Sequence, residues 1–250
     1  MQPISKTHII LTLVGIIALV WVVIHTKKQQ DTQVPAPSAG DQTQMWPSVK
    51  VGEDNLNENT GPYTITAVYP MTASTTISGT LRMFVQQQVD QFKEDTSWAA
   101  DPSIAPAEAA ELSLDVTYVE QKNDRADNYV FTVASYTGGA HGLQATKTFS
   151  YNETGIPLTL ASLFINGEDG LKTIATYVQA QLKTREFAEE SWIADGAAPK
   201  ADNYQNFVVT ETGITFIFDP YQVAPYAAGV QRVDVPVSAF KSIANPELFN

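Results

Sequence analysis

Ser135-Tyr136-Thr137-Gly138-Gly139-Ala140-His141-Gly142 gathers a tyrosine, paired glycines and a histidine between two runs of β-forming residues. His141 is the only histidine beyond residue 25. An imidazole titrating near 6.5 could serve as a general base if a carboxylate oriented it and a substrate group lay within reach. The competing reading is a ring that bonds a neighbouring loop. Gly138 and Gly139 permit positive φ, which suits either a ligand-facing turn or a plain hairpin reversal. A second group, Asp219-Pro220-Tyr221-Gln222-Val223-Ala224-Pro225-Tyr226-Ala227-Ala228-Gly229, also leaves a strand-like run. Its tyrosines, stiffened by two prolines, could form an aromatic rim for a sugar or a protein surface, or seal the end of a sheet. If the two loops meet, Tyr136, Gly138, Gly139, His141, Tyr221 and Tyr226 constitute the candidate binding site.

Other chemistries lack their residues. Cysteine is absent, which excludes disulfides, thiolate nucleophiles and cysteine zinc sites. One histidine past residue 25 makes a zinc site unexpected, and no cofactor or metal is expected. Ser135 lies outside any Gly-x-Ser-x-Gly elbow. Glu189-Glu190 and Asp115 read as solvated charges, without the context of paired carboxylates for glycoside cleavage. Asn152-Glu153-Thr154 has the form of a glycosylation sequon and reads here as a turn. No catalytic residue is assigned.

Charge bears on partners. The chain of 250 residues carries 27 acids and 15 bases. Lys6, Lys27 and Lys28 fall in an acid-free leader, so residues 29–250 hold 12 bases against 27 acids, a net of −15. Such a body repels nucleic acid and attracts cationic partners, although the same charge also serves solubility.

The elements that must position these loops follow from pattern. Ile9 to Ile24 is a continuous apolar run flanked by lysines, read as a signal anchor within residues 1–28 that crosses the membrane once. A cleaved signal peptide or the opposite topology remains the alternative. Residues 29–60 are polar and aperiodic, and are read as a disordered tether. The globular part is expected over 61–250. Pro62–Tyr69 reads as its opening strand, and Ile77, Leu81, Phe84, Val85, Val89 and Phe92 form one helical stripe across Thr75–Phe92. Leu112, Leu114, Val116 and Tyr118 alternate with more polar neighbours as in a half-buried strand. Asn128–Tyr136 and Leu143–Tyr151 read as a hairpin. Leu171, Ile174, Ala175, Val178 and Leu182 predict a second amphipathic helix. Strands are expected at Phe207–Thr210, Ile214–Phe218 and Val230–Val237, with a short helical end at Ser238–Ile243. The expected fold class is α+β, a mainly antiparallel sheet with both helices packed on one face.

The ordered set of Val68-Tyr69-Pro70, Tyr136 through Gly142, Tyr151 through Gly155, Leu158 through Phe164, Gly213-Ile214-Thr215-Phe216 and Tyr221 through Gly229 resembles a known family. It is similar to the extracytoplasmic domain of the lysozyme-sensing anti-sigma factor RsiV, also found beside the deacetylase domain of PdaC-type peptidoglycan enzymes. The resemblance covers roughly residues 60–245 and implies an extracytoplasmic α+β module of the bacterial envelope. Only about eight residues precede the apolar run, and no metal-binding Asp/His set is present, so sigma control in cis and deacetylation are not expected. Two functions remain. One is a membrane-anchored recognition module for a lysozyme-like cationic protein or a cell-wall glycan; the other is an envelope hydrolase using His141.

Overall fold

The structure, a computed structural model, describes residues 52–60, 62–100, 112–165 and 167–249. The expected anchor at residues 1–28 and the tether as far as residue 51 lie outside the described residues. Among the described residues, no helix is long and apolar enough to cross a membrane.

The long sheet is built from β1 (Glu53–Asn55), β2 (Glu58–Thr60), β3 (Tyr63–Pro70), β4 (Leu112–Lys122), β5 (Asp127–Tyr136) and β6 (Leu143–Tyr151). Its order is β1-β3-β4-β5-β6, with β2 also paired to β3. β1 and β2 correct the tether reading for residues 53–60. Their polar sequences show no apolar alternation, yet both pair antiparallel with β3, where backbone hydrogen bonding rather than side-chain burial holds them. β3 is therefore the third strand rather than the opening one. It runs parallel to β4, with Tyr63 opposite Leu112 and Ala67 opposite Val116, while β4–β5 and β5–β6 are antiparallel.

α1 (Thr75–Asp95) follows β3, its first turn capped by the Ser74 hydroxyl, which accepts from the Ile77 N–H at 3.3 Å. Of its predicted stripe, Ile77, Leu81, Val85, Val89 and Phe92 are buried with Ile65, Leu114, Val116, Tyr129 and Phe131 in one core, and Phe84 packs half-buried against it. Each large side chain so buried contributes roughly 1.5–3 kcal/mol before the entropy of ordering it.

The rest of the chain forms a second layer pair. α2 (Gly167–Leu182) and α3 (Glu190–Gly196) precede a three-stranded antiparallel sheet of β7 (Phe207–Val209), β8 (Gly213–Phe218) and β9 (Gln231–Pro236), and the short helices α4 (Val237–Phe240) and α5 (Pro246–Phe249) follow. Leu171, Ile174, Ala175, Val178 and Leu182 of α2 pack with Ile214, Phe216, Phe218, Val233 and Val235 in a separate core. The expectation of one sheet with both helices on one face is thus corrected. Among the described residues there are two sheets, and each long helix covers its own.

What binds the two sheets leaves no apolar pattern in the sequence. Val130, Val208 and Ile217 form a small apolar contact between them, and around it the joint is polar. Asn128 is wholly buried; its side-chain oxygen accepts from Val209 N–H at 3.0 Å and from the Ser150 hydroxyl at 2.8 Å, while its nitrogen donates to Val209 O at 3.0 Å. Thr148 Oγ1 accepts from Phe207 N–H at 3.0 Å. Side chains of the long sheet thus substitute for a strand along the edge of β7, satisfying donors and acceptors that burial would otherwise leave costly. In sequence, Asn128, Thr146, Thr148 and Ser150 alternate like a solvated face.

Candidate functional site

The β5–β6 hairpin closes through Gly138 and Gly139, whose φ values are +92° and +147°. A Cβ at Gly138 would also stand 3.3 Å from the Trp98 ring. The Tyr136 hydroxyl braces the turn, donating to Gly139 O at 2.9 Å and accepting from Gly139 N–H at 3.3 Å. These glycines serve the reversal.

The late loop reaches that hairpin. Tyr226 donates its hydroxyl to Gly142 O at 3.2 Å, and its ring lies 4.6 Å from the His141 ring at an interplanar angle of 31°. Tyr221 lies 5.3 Å from Tyr226 at 32°, and Trp192 of α3 continues the series, 6.2 Å from Tyr221 at 25°. Trp192 and Tyr221 are stacked, whereas Tyr226 is tilted against both Tyr221 and His141. The rings form a column of His141, Tyr226, Tyr221 and Trp192, drawn from three segments distant in sequence.

Hydrogen bonds hold the loop to both neighbours. Asp219 Oδ1 accepts from Thr146 N–H at 2.8 Å, tying the loop to the outer edge of β6. Gln222 Nε2 donates to Gly196 O at 3.1 Å and Asn203 O at 3.0 Å, tying it to the end of α3 and the turn beyond. Burial pushes the Asp219 carboxyl above the ordinary carboxylate range, against the Thr146 N–H, which favours its charged form. Tyr221 occupies the left-handed region at φ +70°, a conformation costly for a bulky residue, and is still 41 % exposed. Partial burial, reinforced by the Tyr226 phenol, raises its hydroxyl above the usual tyrosine value.

The geometry bears on catalysis. His141 Nδ1 lies 2.8 Å from Gly142 O; a carbonyl only accepts, so that nitrogen carries the proton. Among the described residues no carboxylate forms a hydrogen bond or ion pair with this ring, which is the partner a general base would need. A different ionisable pair sits inside the long sheet, where Glu120 faces Tyr129 across β4–β5 and lies 3.2 Å from Lys122 Nζ. Glu120 is 2 % exposed and Tyr129 fully buried, which keeps both from solutes. Among the described residues, no group of three His, Cys, Asp or Glu side chains could hold a metal ion.

The structure thus brings together His141, Tyr221 and Tyr226, assigns Gly138 and Gly139 to the turn, and adds Trp192 and Gly196. Gly196 is needed because a Cβ there would stand 1.7 Å from Gln222 O. Neither Trp192 nor Gly196 carries a periodic signal, since α3 has seven residues, fewer than two turns.

Comparison with known proteins places the chain. Residues 161–238 match the family described as Protein of unknown function (DUF3298). The peptidoglycan-N-acetylmuramic acid deacetylase PdaC of Bacillus subtilis (strain 168) is 28% identical over 178 residues, 70% of this chain but 38% of that protein. This chain therefore spans well under half of PdaC. Immunogenic protein MPT64 of Mycobacterium tuberculosis is 32% identical over 167 residues, 65% of this chain and 71% of MPT64. Esterase Rv3036c of the same organism is 32% identical over 112 residues, 43% of this chain and 47% of the esterase. A crystal structure of a DUF3298 family member from Bacteroides fragilis shares the fold, with a TM-score of 0.58 at 18% identity over 78% of this chain and 93% of that one. The chain belongs to the DUF3298 family, the PdaC-like group that its hairpin and late-loop motifs resemble.

Proposed function

We propose that this protein is an extracytoplasmic recognition module of the bacterial envelope, held at the membrane by residues 9–24, which grips a cationic protein through the aromatic column. The observation that carries the reading is the column itself: four rings in serial contact from three segments, one pair stacked and two tilted, with a strained and exposed Tyr221 within it. The rings lean on one another in series, whereas a sugar needs a free face to lie on. Edges and hydroxyls remain, and tyrosine and tryptophan presented in this way are frequent anchors of protein interfaces. The net charge of −15 over residues 29–250 would steer a basic partner toward the body. An envelope location is supported by the likeness to PdaC, whose name places its activity on peptidoglycan.

The test is binding of the full chain in neutral detergent to hen lysozyme, used as a basic protein probe, at low and high salt. Tyr221→Ala should weaken binding about tenfold, or about 1.4 kcal/mol, and the remaining interaction should still fall with salt. Wild-type protein that ignores lysozyme at every ionic strength defeats the reading. Co-sedimentation with purified peptidoglycan in the absence of lysozyme binding would transfer the ligand to wall glycan.

A further inference from the structure

At the opposite end of the long sheet from the hairpin, a cleft of about 830 Å³ opens between the β4–β5 turn, the segment after β6 and the C-terminal α5. β6 alone has nine residues, so at ~3.3 Å per residue the cleft lies on the order of 30 Å along the sheet from the His141 turn. It is a site separate from the aromatic column.

Its lining mixes apolar and acidic side chains. Ile156, Pro157, Leu158 and Leu248 line it, and Ile156 is 60 % exposed. Its rim is acidic, with Asp124, Glu153, Glu211 and Glu247 all exposed at the surface. Among the described residues of the lining, Arg125 is the single basic one, so the charge there is four acids against one base, a net of −3. That guanidinium is committed to the wall: it donates to Leu248 O at 2.5 Å and lies 5.7 Å from the centre of the Phe249 ring.

The walls are fixed in advance. Asn152 Oδ1 accepts from Thr154 N–H, Ile156 N–H and the Thr154 hydroxyl, at 3.1, 2.8 and 2.8 Å, shaping the turn that carries Glu153. Asn245 donates from Nδ2 to Ser162 O at 2.9 Å, and its Oδ1 accepts from Glu247 N–H at 3.0 Å. A groove already ordered loses little entropy when it is filled.

We propose that this cleft docks an extended basic peptide segment, its lysine or arginine heads on the four carboxylates and their aliphatic stems along Ile156 and Leu158. Charge complementarity selects the occupant. Four carboxylates beside exposed apolar side chains match Lys and Arg, which carry both an apolar stem and a charged head. A point cation fits poorly, because among the described residues no three acids converge closely enough to hold a metal. An acidic peptide or a nucleic acid would be repelled. The inference does not rest on the column, and either site can fail alone.

The experiment is fluorescence anisotropy of a labelled hexapeptide of alternating lysine and leucine against the full chain in neutral detergent. Its controls separate the cleft from general charge. Combined Glu153→Gln, Glu211→Gln and Glu247→Gln should weaken binding by about tenfold or more at low salt. Glu94→Gln, Glu186→Gln and Glu189→Gln, which remove the same charge elsewhere on the exposed surface, should weaken it by less than about threefold. Tyr221→Ala should leave peptide binding unchanged. If the cleft triple does not fold, judged by circular dichroism, a single Glu211→Lys reversal in the turn before β8 carries the same expectation. Equal losses in the two triples, loss on Tyr221→Ala, or no peptide binding by the wild type would each overturn the proposal.

Discussion

Replacing Gly196 by alanine would set a methyl carbon 1.7 Å from Gln222 O and 2.6 Å from its carbonyl carbon. Real Cβ atoms do not come within 3.0 Å of such neighbours, so the two backbones must part by at least about 1.3 Å. The parting acts on Gln222, whose amide donates to Gly196 O and Asn203 O. Overpacking costs about 1–3 kcal/mol and each lost hydrogen bond about 0.5–1.5 kcal/mol, so the change should destabilise by about 2–6 kcal/mol. Against a total stability of about 5–15 kcal/mol this is a large fraction. The same substitution at Gly79 meets nothing within 4 Å on an exposed part of α1, and should stabilise by about 0.5–1 kcal/mol through helix propensity. Urea unfolding of both variants supplies the energies, and near-ultraviolet circular dichroism reports whether Trp192 and Tyr221 remain stacked. Opposite signs are expected, with the aromatic signal and lysozyme binding lost only in Gly196→Ala. A Gly196→Ala protein as stable as Gly79→Ala, with its aromatic signal intact, would refute the close approach on which the column depends.

Asn128→Ala should cost about 3–5 kcal/mol in urea unfolding, because it strands the buried Val209 N–H and leaves a void between the sheets; a loss below about 1 kcal/mol would mean that the apolar contact alone joins them. Asp219 titrates above its ordinary value when folded, so the folded chain holds the proton more tightly than the unfolded one. The stability this contributes is complete below the unfolded carboxylate pKa and is lost as pH rises through the raised folded value. Asp219→Asn should therefore gain stability over wild type at neutral pH and lose that advantage near pH 3, as thermal melts across pH would show; an advantage that persists unchanged at low pH would rule out burial of the charge as its source. Together with the Tyr221→Ala and cleft comparisons, these variants separate the platform, the sheet joint and the acidic groove.

Much of this architecture is legible in residue spacing. The stripes of α1 and α2 are buried as their period requires, and β4, β5 and β6 fall where alternation and the paired glycines place them. The division into two sheets is hidden for a specific reason. Thr148 and Ser150 look solvated because they are polar, yet their hydroxyls meet backbone groups of β7 about sixty residues away. β1 and β2 are equally silent, since polar strands held by main-chain pairing leave no apolar period.

The sequence by itself determined the chemical vocabulary of the protein: no thiol chemistry, one histidine beyond the apolar leader, a strongly acidic body, and two loops rich in tyrosine and glycine. Those facts are properties of composition and local spacing, and folding cannot alter them. Only the tertiary structure decided that the His141 ring meets Tyr226, that Trp192 completes the column, and that four acids line one cleft together with Ile156 and Leu158. Such adjacencies depend on how two sheets pack and on a close contact at Gly196, where the groups that meet come from segments whose separation along the chain carries no periodic trace.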